Sequence, residues 1–267
     1  MKRQGDDMQL IDLSRPLENT EFADPPGLAP KITYFSHAET ADQMLQFFPS
    51  VQADQLPGGE GWAVEQITLS THNGTHLDAP YHFHSTMNGG ERAITIDEVP
   101  LEWCIGRGVK LDFRHFPDGH VVTATEMAAE FDRIGHDLSP GDIVLVNTAA
   151  AEKYGTPEYV PTGCGIGRAA TNWLTERGMR VCGTDAWSWD APFIHTAKKV
   201  SETGDAGLIW EGHRAGMDRG YCHMEKLANL DQLPDTGFEV QCFPVKIKAA
   251  SAISWVSSCR CSSPPAA

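Results

Sequence analysis

The feature that most constrains this chain is the segment Thr71–His84, T-H-N-G-T-H-L-D-A-P-Y-H-F-H, which holds His72, His76, Asp78, His82 and His84. All five occupy even positions, so a fully extended chain would project them from one face. Extension alone cannot bring them together. Residues 72 to 78 would span about 20 Å, whereas ligands of one ion with bonds near 2 Å lie only a few ångströms apart. The chain must therefore turn between His72 and His76, and Asn73-Gly74 supplies residues that tolerate positive φ. Pro80 argues against a continuous helix through the segment. A lone histidine is more often a core or capping residue than a ligand. Two imidazoles and a carboxylate spaced H-x-x-x-H-x-D, with two further histidines close behind, read as a metal site. Nitrogen and carboxylate donors without thiolate suit Zn2+ or Mn2+.

Around this segment, short apolar runs alternate with helical patterns. Leu10–Leu13, Ala63–Thr71, Val109–Phe113, Ile143–Val146 and Met179–Gly183 read as strands. Glu239–Lys248 resembles a strand interrupted by Pro244. Thr123 with Glu126 makes a capping box ahead of Met127, Phe131 and Ile134, and Gly135 ends that helix. Arg168–Arg177 reads as a second helix with Gly178 at its C-terminal cap. Residues 21–62 and 186–222 read as two long surface excursions. They contribute Phe35, Phe47, Phe48, Trp62, Trp187, Trp189, Phe193, Trp210 and Tyr221 as residues that could wall a pocket for a flat substrate. The pattern is mixed α/β, without repeats, and predicts a single domain over residues 1–267 with a disordered tail at 254–267.

The run H-N-G-T-H-L-D-A-P-Y-H resembles the H-x-G-T-H-x-D-x-P-x-H signature of the metal-dependent cyclase family, which includes bacterial kynurenine formamidases and isatin hydrolases. Asp12-Leu13-Ser14, Gly183-Thr184-Asp185 and Leu227-Ala228-Asn229-Leu230-Asp231 extend the likeness along most of the chain. The resemblance implies a swivelling β/β/α fold, a mixed β-sheet with a barrel-like part and flanking helices. It implies His72, His76 and Asp78 as metal ligands and His82 as the catalytic histidine. It further implies His213 and Glu225, twelve residues apart, as a second ligand pair, with Glu225 bridging ions or shuttling a proton. The implied activity is hydrolysis of a carbonyl C–N or C–O bond by metal-activated water. Ring opening of a small cyclic amide, imide or lactone is the first expectation, and arylformamidase action on N-formylkynurenine the second. A homodimer or higher homo-oligomer is also expected.

Composition narrows the alternatives. A formal net charge of −15 argues against a nucleic-acid partner. No apolar run approaches the roughly 20 residues of a membrane helix, and the polar N-terminus lacks a signal core. Seven scattered cysteines without a Cys-x-x-Cys suit reduced thiols and a cytoplasmic setting. The absence of G-x-S-x-G removes a serine-elbow mechanism. The remaining rival is a non-catalytic small-molecule-binding protein whose metal is structural, closed by four protein ligands.

Overall fold

In the computed structural model, which describes residues 8–19, 24, 27–254 and 258–262, a nine-stranded mixed sheet carries the whole architecture. Across the sheet the strands run Met8–Asp12, Ser258–Ser262, Phe238–Gln241, Ile105–Asp112, Ile143–Asn147, Val181–Thr184, Cys222–Glu225, His76–Asp78 and Ala252–Ser254. The four central strands, Ile105–Asp112 to Cys222–Glu225, are mutually parallel, and the strands on both flanks are antiparallel. Ile143–Asn147 and Val181–Thr184 are buried throughout, as expected of parallel strands covered on both faces. The sheet curls into a half-barrel with helices against it, the swivelling β/β/α architecture.

Two cores result. One face packs Leu13, Leu77, Leu145, Met224 and Val240. The other packs Val109, Val144, Met127, Phe131 and Leu174 against the helices Ala124–Ile134 and Arg168–Glu176. The first helix starts at the capping box of Thr123 and Glu126 and ends at Gly135, which adopts φ +65°. Gly108 is required by close packing, since a Cβ there would meet the Phe238 ring at 1.9 Å. Among the described residues no helix is long and apolar enough to cross a membrane.

Three expectations are corrected. The first excursion is not bare loop: Lys31–Phe35 pairs antiparallel with Val64–Thr68, with a helix at Ala41–Phe47 between them. The second contains the helices Phe193–Thr203 and Glu211–Arg214. Their Gly and Pro content hid short elements that are fixed by pairing within the first excursion and, in the second, by bonds to the body such as Lys199 to the Gly119 carbonyl and the Arg168 amide to Glu211. The tail differs most. Ser258–Ser262 is a strand inserted between Met8–Asp12 and Phe238–Gln241, and Ala252–Ser254 forms the far edge beside His76–Asp78. Ser, Cys and Pro weaken its local signal, but two neighbouring strands supply backbone partners that no local pattern reveals. Residues 255–257 and 263–267 of that tail lie outside the described residues.

Candidate metal centre

The centre follows from strand register. His76 and Asp78 alternate with Leu77, so both side chains leave one face of their strand while Leu77 enters the core. The adjacent antiparallel strand places His223 opposite Asp78 and Glu225 opposite His76. Residues facing each other across such a pair share a face, and four polar side chains therefore converge. All four are buried.

The turn before the strand is built as its sequence requires. The Ser70 amide donates to Asn73 Oδ1 at 2.7 Å, the Asn73 amide to the Ser70 carbonyl at 3.1 Å, and Gly74 adopts φ +57°. This returns His72 to the group, with Nδ1 at 2.9 Å from Asp78 Oδ1. Pro80 occupies the first turn of a short helix, Pro80–Phe83, that turns His82 inward. His82 Nε2 stands 4.0 Å from Asp78 Oδ2. His213 arrives from Glu211–Arg214, with Nε2 at 3.7 Å from Glu225 Oε1.

The donor atoms crowd into one small space, with His223 Nε2 already bonded to Glu225 Oε1. His76 Nε2 lies 3.5 Å from Asp78 Oδ1 and 3.4 Å from Glu225 Oε2. His223 Nε2 lies 3.0 Å from Asp78 Oδ2 and 3.1 Å from Glu225 Oε1. Despite these approaches, His76 Nε2 and both Asp78 oxygens are buried without a hydrogen bond of acceptable geometry, a cost that folding avoids unless another partner is present. One ligand atom from each of Asp78, His213, His223 and Glu225 lies within 4.8 Å of the others, and His72, Asp78 and His82 form a second such group. Asp78 belongs to both. Atoms sharing an ion through bonds near 2.1 Å lie within about 4.2 Å of each other; the donor pairs above, from 2.9 to 4.0 Å apart, fall inside that limit, so a divalent cation fits this donor set.

Outer contacts orient the inner ones. His76 Nδ1 is 3.0 Å from the Gly74 carbonyl, which leaves Nε2 to face the cluster. Asp190 receives the Gly212 and His213 amides at 2.7 and 3.0 Å and stands 2.5 Å from His213 Nδ1. This is the carboxylate–imidazole arrangement that fixes the tautomer of a metal-ligating histidine. Burial opposes charge on Asp78, yet the imidazoles of His76, His82, His223 and His72 hold its carboxyl well below the usual range. Burial likewise opposes charge on His223, but Asp78 and Glu225 outweigh it and push the imidazole up to about 9. His82 moves the other way, to about 4, because burial and the imidazoles of His72 and His213 outweigh the pull of Asp78 and Glu225.

The expected residues His72, His76, Asp78, His82, His213 and Glu225 are thus brought together, whereas His84 turns away to bond Thr86. His223 and Asp190 were missed by sequence reasoning. The alternation Cys222-His223-Met224-Glu225 is a two-residue period that could have revealed His223. Asp190 has no such signal.

A cavity of about 240 Å³ opens over the cluster, lined on its apolar side by Leu28, Trp187, Phe193 and Trp210. The Trp210 indole stacks on His213 at 4.3 Å. Trp189 and Tyr221 are buried beneath and stack or tilt against His223 instead of walling the cavity, while Phe47 and Phe48 are exposed.

Comparison with known proteins agrees with this geometry. The Cyclase family profile matches residues 11–191, and the chain belongs to that family. A kynurenine formamidase of Bacillus cereus is 24% identical over 241 residues, covering 90% of this chain and 91% of the relative. One from Maricaulis maris is 30% identical over 199 residues, covering 71% and 76%. Isatin hydrolase A from Labrenzia aggregata, solved bound to benzyl benzoate, superposes with a TM-score of 0.73 at 23% identity, covering 96% of this chain and 94% of its own. The chain is accordingly a metal-dependent hydrolase.

Proposed function

We propose that the enzyme hydrolyses a carbonyl C–N or C–O bond of a small, flat substrate, most simply by opening a cyclic amide, imide or lactone. The observation that carries this reading is the buried Asp78-centred cluster at the base of a cavity with an aromatic wall of Trp187, Phe193 and Trp210. His72, His76, Asp78, His213 and Glu225 would hold the ion, with His223 as an added donor. When bound, a divalent ion such as Zn2+ or Mn2+ there supplies Lewis acidity, acidifying water and polarising a carbonyl.

The chain's own residues do the rest. Trp187, Phe193 and Trp210 orient a planar ring and exclude water. His82, neutral at physiological pH and only partly buried, takes the proton from the attacking water or returns it to the leaving group. Asp78 belongs to both donor groups and would serve as a ligand in either if two ions bind. Arylformamidase action is the second reading, favoured by the relatives named kynurenine formamidase. Cys104, Cys164, Cys182, Cys222 and Cys242 are free and buried, in keeping with a reducing compartment.

The test is metal content by mass spectrometry, with turnover of isatin, a small lactone and N-formylkynurenine, on wild type and His76→Ala. One or two equivalents of metal, lost with activity in the variant, are expected. Metal surviving His76→Ala unchanged would remove the site as drawn, and the preferred substrate separates the two readings.

A further inference from the structure

The cavity has a second polar wall that hydrolysis itself does not require. Lys226 follows Glu225 directly, adopts φ +59°, and is only 2% exposed. Its ammonium bonds Asp24 Oδ1 and, at 2.9 Å, the His72 carbonyl. Asp24 is 5% exposed and also receives Asn73 Nδ2 at 2.9 Å and Trp187 Nε1 at 3.3 Å. Asp24, Lys226, Asn73 and Trp187 all line the cavity above the cluster.

Counting donors and acceptors leaves a remainder. An ammonium has three N–H donors and a carboxylate about four acceptor positions. Lys226 uses two donors and Asp24 three acceptor positions. Counted over the described residues, one N–H of an ammonium 5.8 Å from the Trp187 ring centroid and one lone pair of Asp24 are left over on the same wall. A buried ion pair contributes little net stability compared with apolar packing of similar volume. Fastening Asp24 to the body accounts for the bonds already made, but not for the pair's place on a substrate cavity.

We propose that Lys226 and Asp24 determine specificity by reading an N–H and an adjacent carbonyl that is not the one under attack. This rests on the hydrolase reading above and deepens it. Cyclic imides carry that edge, since their N–H is flanked by two carbonyls. With one carbonyl at the His/Asp/Glu cluster, Asp24 accepts the N–H and Lys226 donates to the other carbonyl. A lactam with one carbonyl lacks the second feature, an N-alkyl imide the first, and a lactone both. Hydrolysis then breaks one C–N bond: water's oxygen enters the new carboxylate, one proton passes to nitrogen, and the product is an amide acid. Sites that hydrogen-bond a substrate group reject analogues lacking it, because their buried partners are left unpaired.

The experiment measures binding of phthalimide, N-methylphthalimide and isoindolinone to the metal-loaded protein through quenching of tryptophan fluorescence, alongside turnover. Wild type is expected to bind phthalimide at least about tenfold tighter than either analogue, consistent with a lost hydrogen bond of roughly 1.4 kcal/mol or more. Lys226→Met should erase the preference over isoindolinone, and Asp24→Leu, which removes the acceptor, the preference over N-methylphthalimide, with metal content unchanged. Equal binding of all three ligands by wild type overturns the proposal without any variant, as does a uniform loss across ligands in variants that keep their metal. If no substrate is turned over but the ranking holds, the hydrolase reading fails and this recognition stands.

Discussion

At the scale of single residues, His76 and Asp78 share one face of their strand because Leu77 between them enters the core, and the Asn73-Gly74 turn brings His72 back to the same face. Asp190 was not legible, since its role depends on a helix 22 residues downstream folding back so that the Gly212 amide reaches its carboxylate. Asp185 carries a prediction of its own. It is buried and accepts the Thr148 amide and hydroxyl, yet burial outweighs these donors and lifts its carboxyl to about 7. A carboxyl raised on folding favours the protonated form in the native state. Its stabilising contribution is therefore full below about pH 4 and is lost as pH rises through about 7. Asp185→Asn removes that dependence. Thermal melts between pH 4 and 8 should show wild type losing ground to the variant across this window; parallel curves would show that Asp185 stays ionised throughout.

At the scale of elements, helices with complete local signals were readable. Ala124–Ile134 begins and ends where its capping box and Gly135 place it, because a cap satisfies backbone groups within one turn of chain. Strands that depend on partners were not readable. Glu239–Lys248 keeps strand form only to Gln241, and the tail strand Ser258–Ser262 has no strong propensity of its own. It nonetheless joins the ladders of Met8–Asp12 and Phe238–Gln241 through nine aligned residue pairs. Deleting residues 258–267 would open two edges at once, and unpaired edges promote association. We expect the truncated chain to melt at lower temperature and to aggregate, measured by scanning fluorimetry with light scattering. Unchanged melting would mean that this strand adds nothing to the sheet's stability.

At the scale of the whole molecule, apolar surface is concentrated where the first excursion leaves the body. Tyr34, Phe47, Phe48, Val64 and Ile67 are exposed, and the helix Ala41–Phe47 buries none of its residues. Apolar groups clustered in this way mark association surfaces. A homo-oligomer is the expected state, and light scattering at low micromolar concentration should return at least twice the 29.2 kDa chain mass; a monomer mass would overturn it. Sequence by itself determined the donor chemistry, the turn at Asn73-Gly74 and the buried parallel strands, because each is specified within a few neighbouring residues. Only tertiary structure decided that His223 faces Asp78, that Asp190 holds His213, that the tail completes the sheet and that Lys226 meets Asp24 over the cavity. Those contacts join residues tens to hundreds of positions apart, and strand register and chain return, which no local pattern encodes, bring them within bonding distance.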